Sequence, residues 1–317
     1  MARVFVTRRL PGDALGRLEA EHDLEVWPEP APPSVDELRA GIAHAEGLLA
    51  LLTDPIDADI LAVAPALRAI SNYAVGVDNI DLEAATARGI PVGNTPGVLT
   101  DSTADLAVAL MLGIGRRLPE GDAYVRRGDW RTWQPDLLLG RDLHGATVGI
   151  VGFGRIGQAV ARRLDGFGCE LVHTSRGGGG VELPELLARS DFVTLHCPLT
   201  PETRGLIGDD ALARMKATAY LVNTARGPIV DTDALARALQ AGKIAGAALD
   251  VTDPEPLPGD HVLLEAPGLL VVPHVGSATH STRERMAEIA VDNLLAGLAG
   301  ERMPNCANPE VYAARGA

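Results

Sequence analysis

Short apolar runs alternate with stretches of helical spacing along the first part of the chain. Runs at 3–7, 24–27, 47–52 and 69–72 predict strands, and 11–19, 58–64 and 81–88 predict helices. After a proline-rich connection at 28–33, Ser34 with Glu37 three residues on forms a capping box, which opens one more helix. The order βαβαβαβα predicts a parallel sheet with helices on both faces. Asn94-Thr95-Pro96-Gly97 breaks the pattern. A long helix then spans 101–117, apolar on most faces and expected between two domains. A charged, irregular stretch at 120–141 carries Trp130 and Trp133. Six further runs, at 147–151, 170–174, 192–195, 219–223, 246–250 and 269–272, alternate with helices at 155–165, 183–189, 209–215 and 232–241. That is a second doubly wound α/β set. A helix at 281–298 closes the chain and is expected to cross back to the first domain, leaving 304–317 as a tail. The fold class is therefore α/β, with two doubly wound parallel-sheet domains. The first is discontinuous, 1–98 and 286–317; the second, 99–285, is inserted into it and carries an arm at about 119–144.

Composition narrows the function classes. The 317 residues suffice for two domains, and 46% apolar residues can fill two cores. A net charge of -14 argues against nucleic acid and acidic membranes as partners, while leaving room for a small anion held by local N–H groups. Three scattered cysteines, Cys169, Cys197 and Cys306, fit a reducing cytosol and no disulfide framework. The first ten residues lack the apolar core of a signal peptide, and no apolar run approaches the ~20 residues needed to span a bilayer. No metal is expected. Two tryptophans in one arm point either to an interface between copies or to a local core under a loop.

The strand at 147–151 flows into Gly152, Gly154 and Gly157, and a striped helix follows. Strand, glycine turn and helix in that order are the setting in which G-x-G-x-x-G binds a dinucleotide. Gly152 permits the turn, Gly154 lets backbone approach a pyrophosphate, and Gly157 brings the helix close to the strand. The pyrophosphate would rest on the free N–H groups of the helix start. The next strand ends His173-Thr174-Ser175-Arg176, with Ser175 where an acid would hold a ribose hydroxyl. Arg176 suits a 2′-phosphate, so NADP(H) is expected over NAD(H). As a plain surface charge Arg176 would leave that preference open. The glycines at 177–180 either add N–H donors there or form a simple loop.

Three polar side chains follow the last three strands of the second set. Arg226 lies in N-T-A-R-G, Glu255 in D-V-T-D-P-E-P and His274 in P-H-V-G-S. Doubly wound sheets bind ligands at the carboxyl ends of their strands, so all three fall on the cofactor side. Hydride addition to a ketone leaves negative charge on oxygen. His274 can protonate that oxygen, Glu255 can hold the imidazole and keep it protonated, and Arg226 can clamp a carboxylate and polarise the carbonyl.

The motifs V-G-I-V-G-F-G-R-I-G-Q-A-V-A-R-R-L, N-T-A-R-G-P-I-V-D, A-L-D-V-T-D-P-E-P-L-P and P-H-V-G-S-A-T resemble the D-isomer-specific 2-hydroxyacid dehydrogenase family. N-T-P-G-V-L-T-D-S-T-A-D-L-A, R-R-L-P-E and L-L-A-G-L-A-G-E-R-M-P resemble its glyoxylate/hydroxypyruvate reductase branch. The resemblance implies a Rossmann-type nucleotide domain inserted into a flavodoxin-like substrate domain. It implies Arg226, Glu255 and His274 as the catalytic set, with the substrate carboxylate on the backbone of Val75 and Gly76, and with Arg226 and His274 also in the substrate-binding set. The nucleotide set it implies is Gly152, Gly154, Arg155, Ile156, Gly157, Ser175, Arg176, Cys197, Pro198, Thr203, Thr224, Ala225, Asp250, His274, Gly276 and Thr103. It further implies a homodimer through the arm, with Trp130 or Trp133 reaching the neighbouring subunit's site. Two positions depart from the pattern. The 175–183 connection is short and glycine-rich, and Asp105 stands where Glu is usual. The expected activity is reduction of glyoxylate or hydroxypyruvate by NAD(P)H to a D-2-hydroxy acid. The alternatives are another D-2-hydroxyacid, phosphoglycerate or phosphite dehydrogenase, or a nucleotide-sensing binding protein on the same fold.

Overall fold

In the computed structural model residues 1–315 are described; Gly316 and Ala317, the end of the expected tail, lie outside them. The chain divides into two units, Met1–Leu99 with Ala278–Ala317, and Thr100–Ser277. The return to the first unit thus falls at Ala278 rather than at 286, because the whole closing helix belongs with the first sheet.

The first unit contains β1 (Arg3–Val6), α1 (Ala14–Glu21), β2 (Asp23–Val26), α2 (Val35–Ile42), β3 (Gly47–Ala50), α3 (Ala58–Ala62), β4 (Ala69–Asn72), α4 (Leu82–Ala87) and β5 (Val92–Gly93). The strands form one sheet in the order β2-β1-β3-β4-β5, all parallel. The fifth strand was not expected from the sequence. It is two residues long, and its partners are tertiary: β4 on one side and, through an antiparallel bridge from Gly93, Cys306 on the other. The N–H of Ala307 donates to Val92 O at 2.7 Å, so the C-terminal segment extends this edge. Ser34 caps α2 as its spacing predicts: its Oγ accepts from the Glu37 N–H, and Glu37 Oε2 accepts from the Ser34 N–H.

Helices cover both faces of this sheet. Leu38 and Ile42 of α2, Ile60 and Leu61 of α3 and Ala85 of α4 bury against one face with Phe5, Leu48 and Ile70. The closing helix, α11 (His280–Ala299), covers the other with α1. Its buried positions, Met286, Ala287, Ala290, Val291, Leu294 and Leu298, recur with helical spacing along one face. Gly93 lets this helix come close: a Cβ there would meet the Asn293 side chain at 2.7 Å.

The second unit contains α5 (Thr100–Gly115), α6 (Leu118–Arg126), β6 (Thr147–Val151), α7 (Arg155–Leu164), β7 (Glu170–Thr174), α8 (Leu183–Arg189), β8 (Phe192–Leu195), α9 (Asp209–Arg214), β9 (Tyr220–Asn223), α10 (Thr232–Gln240), β10 (Gly246–Leu249) and β11 (Leu269–Val271). Its strands run parallel in the order β11-β10-β9-β8-β6-β7. The order reverses at β6, which lies between β7 and β8, so the crevice of the switch point opens beyond its carboxyl end. Strands β8, β9 and β10 are buried throughout, as a sheet covered on both faces requires. Helices α5 and α7 fill one face and α8, α9 and α10 the other. The helix expected between domains, α5, thus packs Ala104, Ala107, Val108, Met111 and Ile114 into the second unit's own core. Asp105 of α5 pairs with Arg163 of α7 at 2.5 Å, and Asp101 pairs with the same guanidinium at 3.0 Å. The shorter acid at 105 therefore still makes contact.

The arm begins as α6, which buries none of its residues, and continues without regular structure to β6. Trp130 is 61% exposed and Trp133 78%, which removes the local-core explanation for them. Leu118, Val125 and Leu139 are exposed beside them in sequence. Among the described residues no helix is long and apolar enough to cross a membrane.

The arm's far end is fixed by Asp191, a buried carboxylate at the start of β8. Its Oδ1 lies 3.0 Å from both Arg141 and Lys216, and its Oδ2 accepts the Thr147 N–H at 3.0 Å. Burial raises the Asp191 carboxyl, but the Thr147 N–H, Lys216 and Arg141 outweigh it and hold the group below its ordinary value. A lowered carboxyl stabilises the fold above the unfolded-state pKa, and that contribution is lost as pH falls through the folded one. Asp191→Asn should cost about 2–3 kcal/mol at neutral pH, less than a fully buried pair because Arg141 and Lys216 stay partly in solvent. Urea unfolding at pH 7 and at about pH 2.5 checks this, with the gap between variant and parent narrowing at the lower pH, below the unfolded-state value.

Candidate active site

The glycine turn follows β6 with each glycine in a different setting. Gly152 has φ 95°, and a Cβ there would meet the Cys197 backbone N at 2.5 Å. The turn after β6 is thus seated on the chain leaving β8. A Cβ on Gly157 would collide with Gly152 O, so helix and strand are in backbone contact. A Cβ on Gly154 would meet nothing within 4 Å, which leaves open space at the helix start. Among the described residues no side chain caps α7, and Arg155 and Ile156 open its first turn. The first amides of a helix have no partner within it, and the helix dipole there favours an anion. The residues present therefore fit a dinucleotide pyrophosphate. Phe153, inside the turn, stacks on His173 of β7 with ring centroids 3.9 Å apart.

Beyond β7 the glycines fold back on the strand. Gly178, Gly179 and Gly180 have φ of 80°, 83° and 83°, a run that side chains with a Cβ would strain. Ser175 Oγ donates to Gly178 O at 3.2 Å, and the Val181 N–H returns to His173 O at 2.9 Å. The segment is a tight return, and Arg176 stands exposed at its tip. Glu202 is held below its ordinary value chiefly by a hydrogen bond with Thr200, and the charge of Arg176 adds to it. Thr203 Oγ1 accepts from the Thr200 N–H and donates to Pro198 O at 2.7 Å, which shapes the loop after β8.

His196, at the end of β8, was not singled out from the sequence. Its Nε2 lies 2.9 Å from Thr194 Oγ1 and its Nδ1 3.5 Å from Thr224 Oγ1. Desolvation lowers its pKa to about 3, so the ring is neutral at physiological pH and links the β8 and β9 strand ends. Past Thr224, Asn223 folds the loop: its Oδ1 accepts the Ala225 N–H and its Nδ2 donates to Arg226 O at 2.9 Å. Arg226 donates to Ala225 O at 2.8 Å. A Cβ on Gly227 would collide with Thr252 O, so the loop bearing Arg226 is pressed on the loop bearing Glu255.

His274 and Glu255 meet directly. His274 Nδ1 and Glu255 Oε1 are 2.5 Å apart, with the two side chains 25% and 32% exposed. Glu255 Oε2 accepts the Thr252 N–H at 3.3 Å, which aims the carboxylate. His274 has φ 52°, a left-handed conformation uncommon for a residue with a Cβ. Its N–H donates to Asp250 O at 2.8 Å, and the Val275 and Gly276 N–H groups donate to the Asp250 carboxylate at 2.6 and 2.9 Å. Burial pushes the Asp250 carboxyl up despite those two N–H groups and the nearby His274. Asp250 thus uses both oxygens to hold the turn that presents His274. Thr103 Oγ1 donates to Gly276 O at 3.3 Å and supports the same turn from α5. Among the described residues no cluster of His, Cys, Asp and Glu is arranged to hold a metal ion.

In the first unit, Val75 and Gly76 follow β4. The N–H of Thr95 donates to Ala74 O at 2.8 Å, Asn94 Nδ2 to Val75 O at 2.8 Å and Asn72 Nδ2 to Gly76 O at 2.9 Å. Asn79 Nδ2 donates to Leu51 O and Asp54 O, both at 3.0 Å, which fixes the far side of the loop. These asparagines were also missed from sequence. Their signal was faint: Asn72 and Asn79 frame the Val75-Gly76 motif, yet asparagine near a turn ordinarily reads as turn chemistry.

Known proteins match this arrangement. A family model described as D-isomer specific 2-hydroxyacid dehydrogenase, NAD binding domain, matches residues 108–276. A glyoxylate reductase of Korarchaeum cryptofilum is 49% identical over 99% of this chain and 98% of its own. A crystal structure of a Thermus thermophilus protein superposes with TM-score 0.91 at 51% identity, covering 96% of this chain and 99% of that one. The NADPH-dependent glyoxylate/hydroxypyruvate reductase of Sinorhizobium meliloti, solved with NADP and malonate, gives 0.86 at 33% identity over 97% of each chain. With two parallel α/β sheets, a nucleotide-type glycine turn and these relatives over nearly its whole length, the chain belongs to the D-isomer specific 2-hydroxyacid dehydrogenase family, in its glyoxylate reductase branch, and is an NAD(P)-dependent enzyme.

Proposed function

We propose that the protein reduces glyoxylate or hydroxypyruvate to the corresponding D-2-hydroxy acid, with NADPH preferred over NADH. The observation that carries this reading is the 2.5 Å contact between His274 Nδ1 and Glu255 Oε1 beside the Arg226 loop. The nicotinamide cofactor, when bound, supplies the hydride. Gly152, Gly154, Gly157 and the first turn of α7 hold its pyrophosphate, and the strand-end loops carrying Cys197, Pro198, Thr203, Thr224 and Ala225 line the rest of its path. The amides of Val75 and Gly76 take the substrate carboxylate, and Arg226 polarises the keto oxygen. With Nδ1–H directed to Glu255, His274 Nε2 is free to give its proton to that oxygen as the hydride reaches C2. The oxygen becomes a hydroxyl, and the imidazole regains a proton from solvent. Glu255 stabilises the imidazolium and fixes the ring for transfer.

The NADPH preference rests on Arg176, which stands in solvent at the β7 tip, where Ser175 replaces an acid. The Sinorhizobium meliloti relative, NADPH-dependent by its description, supports the same preference. The exposed arm is read as the dimer interface: Trp130 and Trp133, with Leu118, Val125 and Leu139, present apolar area that a second copy would cover.

His274→Ala should lower kcat by ~10²–10⁴-fold, the usual worth of general acid catalysis, while NADPH binding followed by fluorescence stays near normal. Arg176→Ala should raise KM for NADPH by about tenfold or more and leave KM for NADH within about twofold, as expected for one lost charge-assisted phosphate contact. Trp133→Ala combined with Trp130→Ala should shift sedimentation toward monomer at micromolar protein; an unchanged dimer, or a monomeric parent, removes the arm from that role.

A further inference from the structure

The Val75-Gly76 loop is held by its carbonyls, and a trans peptide makes that decisive. The six atoms of each peptide unit are coplanar, with C=O and N–H pointing in opposite directions. Whatever fixes Val75 C=O therefore fixes the Gly76 N–H. Whatever fixes Ala74 C=O fixes the Val75 N–H. The two partners are Asn94 Nδ2, at 2.8 Å from Val75 O, and the backbone N–H of Thr95, at 2.8 Å from Ala74 O. Among the described residues neither the Val75 nor the Gly76 amide donates to a protein group, so both are left to a ligand or solvent. This rests on the reading that those amides receive the substrate carboxylate.

We propose that Asn94 is a positioning residue for the substrate, aiming the Gly76 amide through the Val75 carbonyl. Asn94 is itself fixed from behind. Its carbonyl accepts Asn293 Nδ2 of α11 at 2.9 Å, and Asn293 Oδ1 accepts the Asn305 N–H at 2.9 Å. Asn293 is fully buried, and the missing Cβ of Gly93 is what admits it. A relay of amide groups thus runs from the closing helix and C-terminal segment to the carboxylate loop. Each member is a neutral donor–acceptor pair, so the relay holds direction at every pH at which the fold is stable.

Asn94→Asp tests the idea in the intact enzyme. It keeps the side chain's shape and replaces the donor with an acceptor facing Val75 O. KM for glyoxylate and the inhibition constant of oxamate should both rise about tenfold, the scale of a small misplacement of a binding group. The kcat, the KM for NADPH and the melting temperature should stay near the parent values. Asn94→Ala, which removes the donor without adding repulsion, should give a smaller rise in the same two constants. Gly76→Pro deletes the amide itself and separates the two readings. If Gly76→Pro weakens glyoxylate and Asn94→Asp does not, the positioning role falls and the carboxylate loop stands. If neither weakens it, the loop reading falls and carries the positioning role with it. A parallel loss of kcat, NADPH affinity and melting temperature in Asn94→Asp would make the residue merely structural and overturn the proposal.

Discussion

The contact between His274 and Glu255 depends on backbone geometry more than on either side chain. An imidazole on an ordinary extended strand end would follow the direction of β11. At φ 52° it is turned instead toward the Glu255 loop. Such a conformation costs roughly 1–3 kcal/mol and persists only when its surroundings impose it. Here the imposition comes from Asp250, whose main-chain oxygen holds the His274 N–H and whose carboxylate collects the next two. A buried acid thereby sets where the His274 ring stands.

The same economy recurs around the site. Arg226 is placed because Gly227 lets its loop lie against Thr252, two residues from the start of the segment that ends in Glu255. The glycine turn is placed because Gly152 rests on the backbone of His196 and Cys197. His196, neutral because it is desolvated, ties β8 to Thr224 of β9. Neighbouring strand ends are thus cross-braced by backbone contacts and uncharged hydrogen bonds. Beside them the Asp250 and Glu255 carboxylates hold the His274 turn, and Asp191 ties the opposite ends of the strands.

Much of this was legible in the sequence because it rests on local rules. Short apolar runs become parallel strands, buried throughout in β8, β9 and β10, and all six of the second sheet fall where the pattern puts them. The glycine spacing and the strand-end positions of Arg226, Glu255 and His274 are equally local. What was not legible depends on partners distant in the chain. β5 is a strand only because β4 and Cys306 flank it, and two residues carry no period of their own. Asn94 becomes a donor to Val75 only once the sheet brings 75 and 94 side by side. The glycines at 177–180 gave no signal as to form, since glycine permits both a tight return and an open loop; the return is selected by His173 and Ser175.

The first sheet is finished by residues made last. Its edge strand β5 is flanked by the segment around Cys306, and α11 completes the cover that α1 begins on one face. A chain emerging from the ribosome therefore presents β1 to β4 with one apolar side only partly covered while the entire second unit is still being translated. That inserted unit has all its strands and helices within Thr100–Ser277. Connectivity thus makes the amino-terminal lobe depend on the closing helix, which lies beyond the whole inserted unit in the chain.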